Sequence, residues 1–271
     1  MEMGKSKEKG ERMSYVIAIA NQKGGVAKTT TVVSLAGAFA QLGYEVLTVD
    51  LDPQGNLSLS LGVEPLQVRG GTSEVLFHTA TILNASRETT IPGLDLLPAN
   101  NDLEFGERFL PMREGHEGIL RNALQAGNVY DMTLLDCPPA MGAITTNALV
   151  AANLLLIPTQ PEYFSAHALR NMLTSIRQVR EKYNPNLIYR ILITMRDRRN
   201  RIHRNLTEQI CTTFPEVVFK TIIDTDTRLR ESSVAGLPIM YYRSRTRSAF
   251  QYQALAEEIV QYAQESVSTP D

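Results

Sequence analysis

Between two apolar stretches the chain carries Lys23-Gly24-Gly25-Val26-Ala27-Lys28-Thr29-Thr30, and the setting of this octapeptide constrains the fold more than any other feature. Before it lies Tyr15–Ala20 (YVIAIA), a short apolar run of buried-strand type. After it Val32, Leu35, Ala36, Phe39 and Ala40 recur at helical spacing, and Gly43 stands where a helix C-terminal glycine is expected. Glu45–Asp50 reads as a second strand. Strand, tight loop, helix and strand within about 35 residues make a parallel pair joined by a right-handed crossover. In that setting adjacent glycines let the backbone curl until several N–H groups face one anion, and the helix start adds its positive dipole end. Lys28 is placed to reach the β- and γ-phosphates of a nucleotide, Thr29 to ligate Mg²⁺ and Thr30 to touch the α-phosphate. The spacing departs from G-x-x-x-x-G-K-[ST]: Gln22 or Lys23 takes the place of the first glycine, and Ala27 that of the second. A ligand-free turn accounts for a lone Gly-Gly, but poorly for lysines on both sides and two threonines after it.

The same alternation continues along the chain. Leu94–Leu97, Met132–Asp136, Leu154–Pro158, Leu187–Thr194 and Val217–Ile223 read as strands; Ser165–Lys182, Arg201–Thr213 and Ala249–Gln264 read as helices. Nearly continuous apolar strands separated by helices predict an α/β fold, a mostly parallel β-sheet with helices on both faces, in a single domain. We expect a flexible leader at 1–14, the domain at 15–264 and a frayed tail at 265–271. The least patterned stretch, 62–101, reads as a peripheral insertion. The most apolar stretch, Ala148–Pro158, is far shorter than the roughly 20 residues of a spanning helix. Cys137 and Cys211 are too few for a disulfide scaffold and suit a reducing compartment, and four scattered histidines show no metal-ligand spacing.

Three aspartates close strands: Asp50 and Asp52 in VDLDPQGN, and Asp136 in LLDCPP. In open α/β sheets ligands lie beyond the carboxyl ends of the strands, so these carboxylates converge on the phosphates, where they hold Mg²⁺ through water or orient an attacking water.

KGGVAKTT, VDLDPQGN and LLDCPP, in this order, resemble the ParA/MinD family of deviant Walker A ATPases. ANQKGG, PTQPEYFSAHAL and ILITM are similar to its chromosome- and plasmid-partitioning ParA/Soj branch, and the resemblance runs from about Tyr15 to Gln264. It implies a P-loop NTPase fold, ATP and Mg²⁺ as cofactors, and slow, partner-stimulated hydrolysis to ADP and phosphate. It implies that Lys23 crosses to the nucleotide of a second subunit in an ATP-sandwich homodimer while Lys28 and Thr29 act in cis. Asp52 matches the position critical for hydrolysis, Asp136 the Walker B residue and Asp50 the switch aspartate. Lys23, Lys28 and Asp52 are thus the candidate catalytic residues. Gly24, Gly25, Val26, Ala27 and Thr30 complete the nucleotide loop with Lys23, Lys28 and Thr29, while Thr29, Asp50 and Asp136 form the metal site. Ala27, where the family usually has glycine, is expected in a right-handed helical conformation. The family's PRN-type turn beside the adenine reads Asp224-Thr225-Asp226 here, so no base contact is carried over.

Charge separates the functions open to such an ATPase. The chain's formal net charge of -2 hides twelve basic residues against six acids between Arg190 and Arg247. Eleven of the twelve are arginines, which make forked contacts with phosphate. Such a stripe neutralises DNA phosphates without reading bases, although a solvated face with local ion pairs is the alternative. By resemblance Arg199 and Arg228 are placed for non-specific DNA binding, with Arg201, Arg204, Arg230, Arg243, Arg245 and Arg247 as further candidates. The implied function is an ATP-dependent switch that binds nucleoid DNA as a dimer in the cytoplasm, positions DNA or another cargo, and is released by a ParB-like or cargo-adaptor partner. A MinD-like membrane cycle is disfavoured: from Ser248 onward there is no Lys or Arg, but Glu257, Glu258, Glu265 and Asp271 are present, a charge repelled by anionic lipid. A metabolic P-loop ligase is the third reading.

Overall fold

The computed structural model describes residues 14–127, 129–162 and 165–268. The expected leader through Met13 and the tail from residue 269 onward lie outside the described residues. In chain order the elements are β1 (Tyr15–Ile19), α1 (Lys28–Gln41), β2 (Val46–Asp50), α2 (Asn56–Ser60), α3 (Thr72–Leu76), α4 (Ile82–Ala85), β3 (Arg87–Glu88) and β4 (Leu94–Leu97). There follow α5 (Gly106–Phe109), α6 (Ile119–Ala126), β5 (Met132–Asp136), α7 (Ala143–Ala151), β6 (Leu154–Thr159), α8 (Ser165–Lys182) and β7 (Ile188–Ile193). The chain ends with α9 (Arg201–Thr213), α10 (Arg228–Val234), α11 (Ile239–Tyr242) and α12 (Arg247–Ser268). No described helix is long and apolar enough to cross a membrane.

The strands form one sheet in the order β3-β4-β2-β5-β1-β6-β7, in which only the short edge strand β3 is antiparallel. Strand residues alternate between two buried layers, as a sheet covered on both faces requires. Ile17, Ile19, Leu134 and Leu156 join Val32, Leu35 and Phe39 of α1 and Tyr252, Leu255 and Ile259 of α12. Ala18, Val49, Leu135 and Leu155 join Leu120 of α6, Ile144 and Leu149 of α7, and Met172 and Ile176 of α8. Gly43 ends α1 as expected, with φ of 83° and the Tyr44 N–H donating to the Phe39 carbonyl.

Two expectations fail. Val217–Ile223 forms no strand but a single bridge between Ile191 and Val218. Its apolar composition suits a strand, but the N–H groups of Lys220 and Thr221 donate to the Glu258 carboxylate at 2.8 and 3.0 Å. Backbone bonding to β7 resumes at Ile223, whose N–H donates to the Ile193 carbonyl. Nor is 62–101 peripheral: Val75, Leu76, Ile82 and Leu97 lie in the core. The segment builds its part of the core from several short elements, which leaves no long periodicity to read.

The crossovers put the site at the carboxyl ends of the central strands. From β4, beyond β2, the chain returns to β5, beside β1, and α7 then carries it across to β6 on the other flank of β1. The crevice beyond β1, β5 and β6 is the switch point at which open α/β sheets bind ligands.

Candidate functional site

The phosphate loop leaves β1 under restraint from two neighbours. Buried Asn21 donates from Nδ2 to the Pro158 carbonyl at 2.7 Å, and its Oδ1 accepts the Lys23 N–H at 2.9 Å. From beyond β7, the Thr194 hydroxyl donates to the Val26 carbonyl at 3.1 Å. Gly25 and Ala27 both take left-handed conformations, with φ of 73° and 66°. Interleaving such residues with right-handed ones turns successive N–H groups toward one concavity. The expectation of a right-handed Ala27 is thereby corrected: tight entry into α1 imposes the geometry for which glycine is the usual residue. The left-handed conformation costs an L-residue roughly 1–2 kcal/mol, partly offset because alanine loses less entropy than glycine on folding. Ala27→Gly is therefore expected to leave the fold intact and raise stability by up to about 1 kcal/mol, or a few degrees in Tm. Thermal unfolding by circular dichroism checks this, and a lower Tm counts against strain at Ala27.

Helix α1 then starts at Lys28 with no side-chain cap and no acidic residue in its first turn. Its leading N–H groups and dipole are thus left for an anion, which the loop above it is shaped to surround. Lys28 is buried at the base of this concavity.

The parallel registers place Asp136 beside Ile19 on one flank and beside Asp50 on the other. Both aspartates are buried. Asp50 Oδ2 accepts the N–H and hydroxyl of Ser58 at 2.8 and 2.7 Å, while Oδ1 accepts the Asp52 N–H at 3.3 Å. Asp136 Oδ2 accepts the Thr29 hydroxyl at 2.7 Å; its Oδ1 is buried without a partner. Burial pushes the Asp50 carboxyl up to about 7. Burial, and next the Asp50 charge, hold Asp136 well above the carboxylate range. A pair of this kind is short of positive charge. Oxygen ligands, an orphaned carboxylate oxygen and the adjacent Thr29 hydroxyl suit Mg²⁺, which keeps several waters. No group of three or more His, Cys, Asp or Glu side chains that could hold a metal occurs among the described residues. A cation held by Thr29 and Asp136 would need further ligands from water and phosphate. Asp52 lies nearer the surface, its Oδ1 accepting the Gln54 N–H at 3.0 Å.

Two residues of this site carried no signal of their own in the sequence. Ser58 supports Asp50 and also accepts the Ala99 N–H, tying β2 to the segment after β4. Glu162, beyond β6, forms an ion pair and hydrogen bond with the Lys23 ammonium. Lys23 is thus held by its own chain.

The arginines lie on adjoining segments around the Asp224-Thr225-Asp226 turn. Buried Asp224 accepts Arg196 Nε at 2.8 Å and Gln251 Nε2 at 2.9 Å, and lies 3.7 Å from Arg247 Nε. Asp226 accepts the Ser248 hydroxyl and sits 3.6 Å from Arg228 Nη1. This turn therefore anchors α12 against the loop after β7. Arg199, 94% exposed, approaches Asp197 at 3.6 Å through its guanidinium. Arg201, Arg204, Arg230, Arg243 and Arg245 are also exposed. Arg204 donates to the Arg198 carbonyl, and Arg243 lies over the Tyr242 ring.

Residues 14–189 match the family model described as an AAA domain. The chain is 38% identical over 249 residues to the sporulation initiation inhibitor protein Soj of Bacillus subtilis, covering 91% of this chain and 98% of that protein. It is 37% identical to the chromosome partitioning protein ParA of Caulobacter vibrioides, covering 90% and 93%. Among solved structures, cobyrinic acid a,c-diamide synthase from Mycobacterium smegmatis, with bound ADP and magnesium, superposes with a TM-score of 0.82 at 34% identity over 95% of this chain and 98% of that one.

Proposed function

Because the chain belongs to the ParA/Soj branch of the ParA/MinD ATPases, we propose that it is an ATP-driven positioning switch that binds ATP and Mg²⁺ at the loop 23–30. It dimerises around the nucleotide, binds DNA without sequence preference in that state, and is reset when a partner stimulates hydrolysis. Its place in the cell is then the cytoplasm, on the nucleoid while ATP is bound. The observation that carries the reading is the contact of Thr29 with Asp136 beside the uncapped start of α1. That pairing serves a hydrated cation between a carboxylate and a phosphate chain.

The chain's own groups divide the work. N–H groups of 24–30 and the α1 dipole are placed to bind the phosphates, Lys28 to neutralise the β- and γ-oxygens, and Thr29 with Asp136 and Asp50 would hold the cation, the aspartates through water. When bound, Mg²⁺ would supply charge neutralisation at the transferred phosphoryl group. Asp52, with its carboxylate toward the surface, orients the attacking water. Lys23 must leave Glu162 before it can reach a second subunit's nucleotide.

The primary test is ATP binding by calorimetry with Mg²⁺ and with EDTA; no binding in either condition rejects the nucleotide reading. Asp52→Ala is expected to bind ATP within about threefold of the wild type while turnover falls at least tenfold, measured by phosphate release. Equal losses in both would make Asp52 a binding residue instead. The likeness to a synthase keeps a ligase in view, and formation of a phosphorylated or amidated small molecule would favour it. DNA co-sedimentation with ATP against ADP distinguishes the switch, and liposome co-sedimentation the membrane cycle.

A further inference from the structure

At the far edge of the sheet a trough of about 460 Å³ opens between α8 and the amino end of β7, opposite the nucleotide site. Its origin is the incomplete pairing of β7. The N–H groups of Ile188 and Thr194 donate to the carbonyls of Asn153 and Thr159, at the two ends of β6. In a parallel strand Tyr189, Ile191 and Ile193 therefore face outward. Residues 217–223 meet the strand there, but their first bond to it is at Ile191. Tyr189 is left at an open edge. With Leu173 and Ile176 of α8 and Pro185 of the following turn it forms an apolar floor.

Arg177, Arg180 and Glu181 of α8 border this floor. Helix residues three apart share a face, so both guanidiniums can serve one ligand. Both arginines are exposed, and neither has a hydrogen bond or ion pair among the described residues. Arg196, Arg228 and Arg247, by contrast, lie against Asp224 or Asp226. We infer that the trough binds a small-molecule carboxylate with a straight apolar chain. Its head lies between Arg177 and Arg180 and its chain over Leu173, Ile176, Pro185 and Tyr189. Guanidiniums hold carboxylates through paired N–H bonds, and two cations against one acid leave a positive balance for an anion. The volume falls within the range of small-ligand pockets, about 300–1,000 Å³.

Larger occupants fit this place less well. Four side chains make too small a floor for a protein partner, whose interface takes about 800 Å² on each side. Strand addition by a peptide would use the Tyr189 carbonyl, which already accepts Arg190 Nη1 at 3.1 Å. Nucleic acid offers phosphates but no apolar chain to cover the floor. The inference stands apart from the nucleotide reading, since the trough shares no residue with the loop 23–30 or with Asp50, Asp52 and Asp136.

The test is isothermal titration calorimetry of the purified full chain with decanoate, acetate and decyltrimethylammonium. Decanoate is expected to bind saturably, one per chain. Its affinity should exceed at least tenfold that of acetate, which lacks the chain, and of decyltrimethylammonium, which reverses the charge. Arg177→Gln/Arg180→Gln, at two exposed positions, is expected to lose at least tenfold of the decanoate affinity with Tm unchanged. If that variant is unstable, Arg180→Gln alone serves, with an expected loss of at least threefold. Equal affinity for either control, or undiminished decanoate binding by a folded variant, overturns the proposal. So does binding to phosphatidylglycerol vesicles that needs the two arginines while decanoate does not bind, which would assign them to a lipid headgroup. ATP titration of the same samples reports separately on the nucleotide reading.

Discussion

Lys28→Met is expected to weaken ATP binding on the order of 10²- to 10³-fold while the fold persists. Methionine keeps the unbranched stem, so the packing of this buried side chain largely survives and the lost property is its charge. That charge is directed at two targets. In the nucleotide-bound protein it meets the β- and γ-oxygens in a partly desolvated cleft, where loss of one partner of a charged hydrogen bond costs about 2–5 kcal/mol. Without nucleotide it offsets the buried Asp136, whose carboxyl it helps to hold down. Removing it leaves the carboxyl pair free to bind protons instead of standing uncompensated, so stability changes less than affinity. Calorimetry with Mg²⁺ and ATP, beside thermal unfolding of the apo protein, separates the two effects. A Tm collapse with residual protein still binding ATP normally would show that Lys28 serves the fold.

The sheet and the loop were legible because their causes are local. Runs such as Met132–Asp136 are apolar on both faces only if both faces are buried, and the observed strand has those bounds. What sequence could not show were contacts between distant positions. Val217–Ile223 has strand composition, but Glu258 diverts two of its amides. Ala27 gave no sign of its left-handed backbone, since alanine is by default a right-handed residue. Glu162 sits beside Lys23 only because β1 and β6 are neighbours. Ser58 and Glu107 became visible in the same way, as partners of Asp50 and of the start of α7. The arginine-rich segment was legible as a count. Its division into free and paired guanidiniums was not, because Asp224 and Asp226 choose their partners through space.

That division sets the expected result for DNA. Arg199→Ala and Arg228→Ala should each weaken binding of the ATP-bound protein on any sequence, since phosphate contacts carry no base information. In a two-fold dimer each substitution removes two contacts, so the slope of log affinity against log salt should fall by about 2 in magnitude. The two losses should differ. Each guanidinium approaches a carboxylate at 3.6 Å, but Asp197 is 41% exposed whereas Asp226 is only 5% exposed, its oxygens accepting the Ser248 hydroxyl and the Arg228 N–H. Removing Arg199 therefore uncovers the more accessible carboxylate. The loss at physiological salt should be greater for Arg199→Ala, and Arg199→Ala/Asp197→Asn should recover the excess without restoring the slope. Fluorescence anisotropy with two unrelated duplexes across a salt series reads all three quantities. Unchanged slopes in both single variants would move the DNA surface elsewhere. A loss confined to one duplex would mean that these arginines read bases rather than phosphates.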